Sequence, residues 1–268
     1  MGSLDLLFGT AVGGVKDNGS RKVTLVGAGP GDPGLLTRKG FDALQGADVV
    51  FFDELVSPEI MDLVGAHTRC IYVGKPCKSV AVSQGDIVQQ LILAAGAGLR
   101  VVRLKGGDPM VFGRGAEEIT ALREAGIDVD VVPGITSASG AAASTRISLT
   151  HRDYAAQVSF VTAARRDGEL ADVQGLAGAG RTLVVYMGIA RAEALSQALQ
   201  ADGVEATLPI AIVENATRPD ERVIITTVGT LPEAVALQNA RSPALFIVGD
   251  VVRTYEPVAG QAAAAAAL

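Results

Sequence analysis

Short runs of β-branched and other apolar residues alternate along the chain with longer segments in which apolar positions recur at helical spacing. In the first half these runs fall at 23–27, 48–52, 70–73, 100–104 and 129–132, and the segments near 34–46, 83–96 and 115–125 predict helices. Ser57-Pro58-Glu59 sets a cap residue, a first-turn proline and a first-turn acid in succession, so a short helix is expected to start there. After Val131-Val132-Pro133-Gly134 the composition changes, and residues 136–145, TSASGAAAST, are almost all small. A second series follows, with strands expected at 157–162, 182–186, 209–214, 221–228 and 243–248 and a helix near 190–201. The short gap between 209–214 and 221–228 predicts a hairpin, and with it a mixed sheet. The expected architecture is therefore α/β, with two α/β domains of mostly parallel or mixed sheets at 22–135 and 136–252. A flexible extension, 1–21, precedes them, and a low-complexity tail, 253–268, ends in QAAAAAAL.

Composition narrows the function classes. At 268 residues and 49% hydrophobic, the chain can bury one large core or two modest ones. Aromatics make up 4% and Trp is absent, so Val, Leu, Ile and Ala must build that core. A net charge of −6 argues against broad binding to nucleic acid or an anionic membrane, yet leaves room for a local basic pocket. Cys70 and Cys77 lack metal-ligand spacing, which leaves idle thiols or a disulfide, and no metal is expected. No apolar run is long enough to cross a bilayer, and the first twenty residues do not read as a signal peptide. A cytoplasmic protein is expected.

The chemistry is concentrated in two glycine-rich corners. GAGPGDPG at 27–34 follows the first strand and formally contains GxGxxG from Gly29. A pyrophosphate needs free amides at a helix N-terminus. Here Pro30 and Pro33 remove two of them and Asp32 adds a negative charge. No GK[ST] follows, so a phosphate-binding P-loop is also excluded. A ligand that is neutral or cationic at this point fits better, and a sulfonium cofactor meets that condition. The second corner, RLKGGDPMVFGRG at 103–115, again follows a strand. Its paired glycines allow close backbone approach, and Asp108 can accept from ligand hydroxyl or amino groups or simply cap the loop. The small-residue stretch reads either as a helix packed tightly on a sheet or as a helix whose start, at Thr136 and Ser137, faces a ligand.

GAGPGDPGLLT, FDELVS, YVGK, VVRLKGGDPMVFGRG, VVPGITSAS, LTHR, YMG and the VENATRPDER segment occur in one order. Together they resemble the tetrapyrrole methylase (class III methyltransferase) family, and within it the uroporphyrinogen-III C-methyltransferases, over about residues 22–252. The resemblance implies two α/β domains with S-adenosyl-L-methionine in the trough between them, S-adenosyl-L-homocysteine as product, and a homodimer. It implies two successive methyl transfers to uroporphyrinogen III, giving precorrin-2 for sirohaem, cobalamin or haem d1 synthesis. Carried over by motif, the cofactor contacts are Pro30, Gly106, Gly107, Asp108, Val111, Thr136, Ser137, Met187 and Ala216. Val111 and Met187 suit adenine burial, and Thr136 and Ser137 suit donation to the methionyl carboxylate or ribose. Asp53, Lys75 and Arg114 match catalytic positions, and Arg114, Glu117 and Arg152 match contacts to the polycarboxylate substrate.

Bland alternatives stand beside each of these. Asp53 also reads as a capping or loop acid and Lys75 as an exposed loop lysine. Arg103 and Lys105 share one strand face, where they either join the pocket or pair with Glu117 or Glu118. The sequence departs from the family pattern at Glu54, Pro76, Ala163 and Ala164, while Arg165 and Arg166 offer replacement cations. Rival readings are a later-stage precorrin methyltransferase, a degenerate tetrapyrrole or adenosyl-ligand binding protein and, more distantly, an NAD-dependent oxidoreductase.

Overall fold

A computed structural model describes residues 21–74, 83–163, 165, 168–257 and the backbone of 264–265. The chain divides into two compact units, Met1–Ile135 and Thr136–Leu268.

The first unit is built on five strands, β1 (Lys22–Gly27), β2 (Val49–Phe52), β3 (Arg69–Tyr72), β4 (Val101–Lys105) and β5 (Asp128–Val132). All pairings are parallel, in the order β3-β2-β4-β1-β5. Parallel strands need crossover connections, and the helices supply them: α1 (Arg38–Gly46), α2 (Pro58–Met61), α3 (Gln84–Gly96) and α4 (Gly115–Glu124). Both faces are covered, which is why all five residues of β4 are buried, Arg103 and Lys105 included, and why burial in β1 does not alternate to its end. Leu44 of α1 and Ile60 of α2 pack with Val26, Val50 and Leu104 on one face. Leu91 of α3 and Leu122 of α4 pack with Leu25, Phe51 and Val101 on the other.

The helix expected at 34–46 is divided. Pro33–Leu35 forms a single 3-10 turn capped by Asp32, and Thr37 then accepts from Gly40 N at 3.1 Å to begin α1. Ser57 stands at the N-cap of α2, but its hydroxyl makes no cap bond. It donates instead to Gly31 O at 2.7 Å, fastening that turn to the first glycine corner.

The second unit holds β6 (Ala155–Thr162), β7 (Gly180–Tyr186), β8 (Pro209–Glu214), β9 (Arg222–Thr227), β10 (Ala244–Val248) and the two-residue β11 (Ala264–Ala265). Their order is β11-β9-β8-β10-β7-β6. β8 and β9 form the expected antiparallel hairpin, β10 is antiparallel to both of its neighbours, and β6 lies parallel to β7, so the sheet is mixed. The small-residue stretch is a helix, α5 (Ser137–Thr145), which packs through Ala138 and Ala141 against Val184, Val213 and Ile247. α6 (Ala192–Ala201) and α7 (Leu231–Leu237) cover the opposite face through Leu195, Leu199 and Leu231. The sequence pattern did not reveal α7, whose seven residues include Pro232 and span too few turns to show a period. The tail is not wholly without structure, because Ala264 and Ala265 pair in parallel with Ile224 and Ile225 on the otherwise open edge of β9. No helix among the described residues is long and apolar enough to cross a membrane.

Candidate active site

In the first unit, the chain leaves β1 toward β2 on one side of the sheet and leaves β4 toward β5 on the other. The carboxyl ends of these adjacent strands are thus a topological switch point, where open α/β sheets take their ligands. Both glycine corners lie there, and they are joined. Gly107 N donates to Gly29 O at 2.7 Å, Gly29 N donates to Gly107 O at 3.1 Å, and Ala28 N donates to Lys105 O at 2.8 Å. A third glycine closes the layer. A Cβ on Gly134 would lie 2.8 Å from the Gly27 carbonyl carbon and closer still to Gly107 O, while one on Gly27 would lie 2.7 Å from Gly107 O. Those neighbours are backbone, so no rotamer change could make room.

The amides of the first corner are largely spent. Ala28 and Gly29 donate across the bridge, Gly34 donates to Asp32 Oδ1 at 2.7 Å, and Leu35 and Leu36 donate within the 3-10 turn. Pro30 and Pro33 have none to give. A pyrophosphate would find no row of free amides here, in agreement with the sequence reading.

Asp108 acts first on its own loop. Oδ1 accepts from Met110 N at 2.8 Å and Oδ2 from Gly134 N at 3.0 Å, so one carboxylate joins the second corner to the end of β5. Val111 is half-buried on the turn that Asp108 closes. Arg114 and Glu117, both expected at the substrate, pair with each other. Nε donates to Oε1 at 2.9 Å and Nη2 to Oε2 at 2.6 Å, with both side chains more than half exposed.

Asp53 follows β2, and Arg103 Nη2 donates to its Oδ2 at 2.7 Å while Leu55 N donates to its Oδ1 at 3.2 Å. Arg103 is buried, and its Nη1 also donates to Leu104 O at 2.8 Å. Of the two readings for Arg103 and Lys105, the structure selects pairing with Glu118. Its Oε1 accepts from Arg103 Nε at 3.3 Å, Lys105 Nζ at 3.2 Å and Gln84 Nε2 at 2.8 Å. Glu118 is fully buried and its Oε2 has no hydrogen-bond partner among the described residues. Burial, with the Arg103 charge second, pushes the Lys105 ammonium below the ordinary lysine value against the pull of Glu118.

In the second unit, Thr136 and Ser137 open α5. Thr136 Oγ1 lies 2.6 Å from the Tyr186 hydroxyl, which also accepts from Ala138 N at 3.1 Å. Met187, the next residue, is half exposed at φ 57°. Ala216 is buried in the same apolar cluster as Ala138, between Asn215 at φ 48° and Thr217 at φ 67°. Arg152 is exposed in a turn where His151 Nδ1 accepts from Asp153 N at 3.1 Å and the His151 ring lies against Tyr154. Lys75 lies outside the described residues, as do Pro76, Ala164 and Arg166.

The structure thus brings Gly106, Gly107, Asp108 and the residues around Pro30 into one layer, and it links Thr136 to the strand that ends before Met187. Sequence reasoning missed Ser57, Tyr186 and Glu118 as a hub. A further signal is available only from the backbone. Seven non-glycine residues among those described have positive φ, and Phe112, Arg114, Met187, Asn215 and Thr217 all lie at or beside expected site residues. Such strain persists where the surroundings enforce it, commonly at functional sites.

The family model for Tetrapyrrole (Corrin/Porphyrin) Methylases matches residues 22–232. Siroheme synthase 1 of Yersinia enterocolitica is 48% identical over 240 residues, 89% of this chain and 50% of that protein. The siroheme synthase of Chromobacterium violaceum is 50% identical over 243 residues, 90% of this chain and 51% of that protein. The chain spans about half the length of the curated relatives it matches. Among solved structures, uroporphyrin-III C-methyl transferase from Thermus thermophilus complexed with S-adenyl homocysteine superposes with a TM-score of 0.76 at 39% identity, covering 89% of this chain and 96% of that one. A cobalt precorrin-4 methyltransferase gives 0.77 at 27% identity, covering 91% and 100%.

Proposed function

The chain belongs to the tetrapyrrole methylase family, and from that premise we propose that it is an S-adenosyl-L-methionine-dependent uroporphyrinogen-III C-methyltransferase that makes precorrin-2 in two methyl transfers. The observation that carries this reading is the pair of locked glycine corners at the switch point. The amides of the first corner are largely taken by the Gly29–Gly107 bridge and the Asp32 turn, which favours a donor without a pyrophosphate. The similarity to the Thermus thermophilus enzyme, whose structure holds S-adenyl homocysteine, supports the same cofactor here.

In each transfer an electron-rich ring carbon of the tetrapyrrole attacks the sulfonium methyl in line. A C–C bond forms, the S–CH₃ bond breaks with its electron pair going to sulfur, and S-adenosyl-L-homocysteine leaves. The macrocycle becomes cationic and regains neutrality by losing a proton. Positioning supplies most of the rate. In this reading Asp53, held by Arg103, takes up the proton, and Lys75 serves in proton return or in pairing with a substrate carboxylate. The exposed Arg114–Glu117 pair is worth on the order of 0–1 kcal/mol, so a substrate carboxylate can replace Glu117 at little cost. Arg152, exposed in its turn, binds a second carboxylate. The resemblance assigns cofactor contacts to Pro30, Gly106, Gly107, Asp108 and Val111 in the first unit and to Thr136, Ser137, Met187 and Ala216 in the second. A homodimer is taken from the resemblance alone, and a cytoplasmic location from the sequence reading alone.

The test is anaerobic incubation with uroporphyrinogen III and labelled S-adenosyl-L-methionine, with methyl groups counted by mass spectrometry. Two methyls per macrocycle are expected. Methylation confined to later precorrins would replace this reading with that of a sibling enzyme, and cofactor binding without any transfer would indicate a binding protein.

A further inference from the structure

α5 begins in an unusual way. Thr136 has the extended backbone of an N-cap residue, φ −65° and ψ 149°, yet its hydroxyl makes no cap bond. An N-cap threonine ordinarily accepts from the amide two or three residues ahead. Here the amide of Ala138, two residues ahead, is taken by the phenol of Tyr186, which reaches it from the end of β7. The same phenol oxygen lies 2.6 Å from Thr136 Oγ1. Between two hydroxyls, the phenol (pKa about 10) is the stronger acid and the better donor. The 2.6 Å contact admits either hydroxyl as donor, and with the phenol proton directed at Thr136 the threonine O–H would point elsewhere, available to a ligand. The chain then turns directly into Met187 at φ 57°, and Gly188 leaves no room for a side chain, because a Cβ there would lie 2.7 Å from Phe246 Cδ2.

We propose that Tyr186 is a positioning residue for the adenosyl ligand: its hydroxyl replaces Thr136 as the cap of α5, frees the Thr136 hydroxyl to donate to the ligand, and ties the start of α5 to the Met187 turn. This rests on the cofactor site of the proposed function, in which Thr136, Ser137 and Met187 touch the same molecule. Without the phenol oxygen, Thr136 would rotate back to cap its own helix and withdraw its donor. Ligand affinity would fall while the helix stayed capped.

The experiment uses the full chain and titrates S-adenosyl-L-homocysteine by calorimetry into the parent, Tyr186→Phe, Thr136→Val and the double variant, with the ligand-free melting temperature as a control. Tyr186→Phe is expected to weaken binding at least tenfold, with a melting temperature close to the parent's. The double variant is expected to bind no worse than the weaker single variant, since both changes remove one shared donor. Parent-like affinity in Tyr186→Phe, or losses that multiply in the double variant, would overturn the proposal. A parent that binds no S-adenosyl-L-homocysteine would overturn the cofactor reading itself, and this positioning role with it. Should Tyr186→Phe melt well below the parent, Tyr186→Trp, which also lacks the phenol oxygen, carries the same binding test. Parent-like affinity in that variant overturns the proposal equally.

Discussion

Replacing Glu118 with leucine tests how the floor of the site is held. Four charges meet beneath the second corner, Asp53 and Glu118 against Arg103 and Lys105, and they sum to zero. Glu118→Leu deletes three hydrogen bonds to Oε1 and leaves two buried cations with Asp53 as their remaining acid among the described residues. Breaking a buried pair by removing one partner costs about 3–5 kcal/mol, most of it from the charge left without compensation. That is a large share of the roughly 5–15 kcal/mol that a folded protein has in hand. With a urea slope of about 3 kcal/mol/M, the midpoint should fall by about 1 M or more. Adding Lys105→Met removes one cation, restores neutrality and leaves Arg103 on Asp53, so the double variant should recover most of the loss. Urea titration, with hydrogen exchange followed on peptides from β4 and α4, isolates the first unit. A loss below about 1 kcal/mol in Glu118→Leu, or a double variant no more stable than the single one, would refute charge balance as what holds this cluster.

Three further outcomes follow from the same geometry. Gly134→Ala should weaken S-adenosyl-L-homocysteine binding and lower stability by about 1–3 kcal/mol, because its Cβ meets the backbone of Gly27 and Gly107; calorimetry and thermal melts check both. Asp108→Ala should raise the dissociation constant for S-adenosyl-L-homocysteine at least tenfold, and Asp108→Asn, which keeps one acceptor oxygen, should lose less; equal affinity in all three proteins would remove Asp108 from the site. Lys105, with a folded pKa below its unfolded value of about 10.4, is charged in both states at low pH, so its desolvation cost is then fully present. Between the two values the unfolded chain binds more protons, so stability rises with pH across that alkaline window, and the parent should gain on Lys105→Met between neutral pH and pH 10 in urea melts.

Much of this protein was legible in its sequence. Period-two and unbroken apolar runs located ten strands to within a residue or two, because burial on one face or on both leaves different and readable patterns. The proline and aspartate inside GAGPGDPG excluded a pyrophosphate, because each acts through its own backbone or charge and needs no partner. Tertiary structure alone decided which distant groups meet. Nothing local says that Gly29 pairs with Gly107, that Ser57 bonds Gly31 rather than its own helix, or that Arg103 and Lys105 turn to Glu118 instead of a ligand. Tyr186 could not be linked to Thr136 across fifty residues of chain. The reason is general: periodicity reports which face of an element is buried, whereas a hydrogen bond between elements depends on their packing.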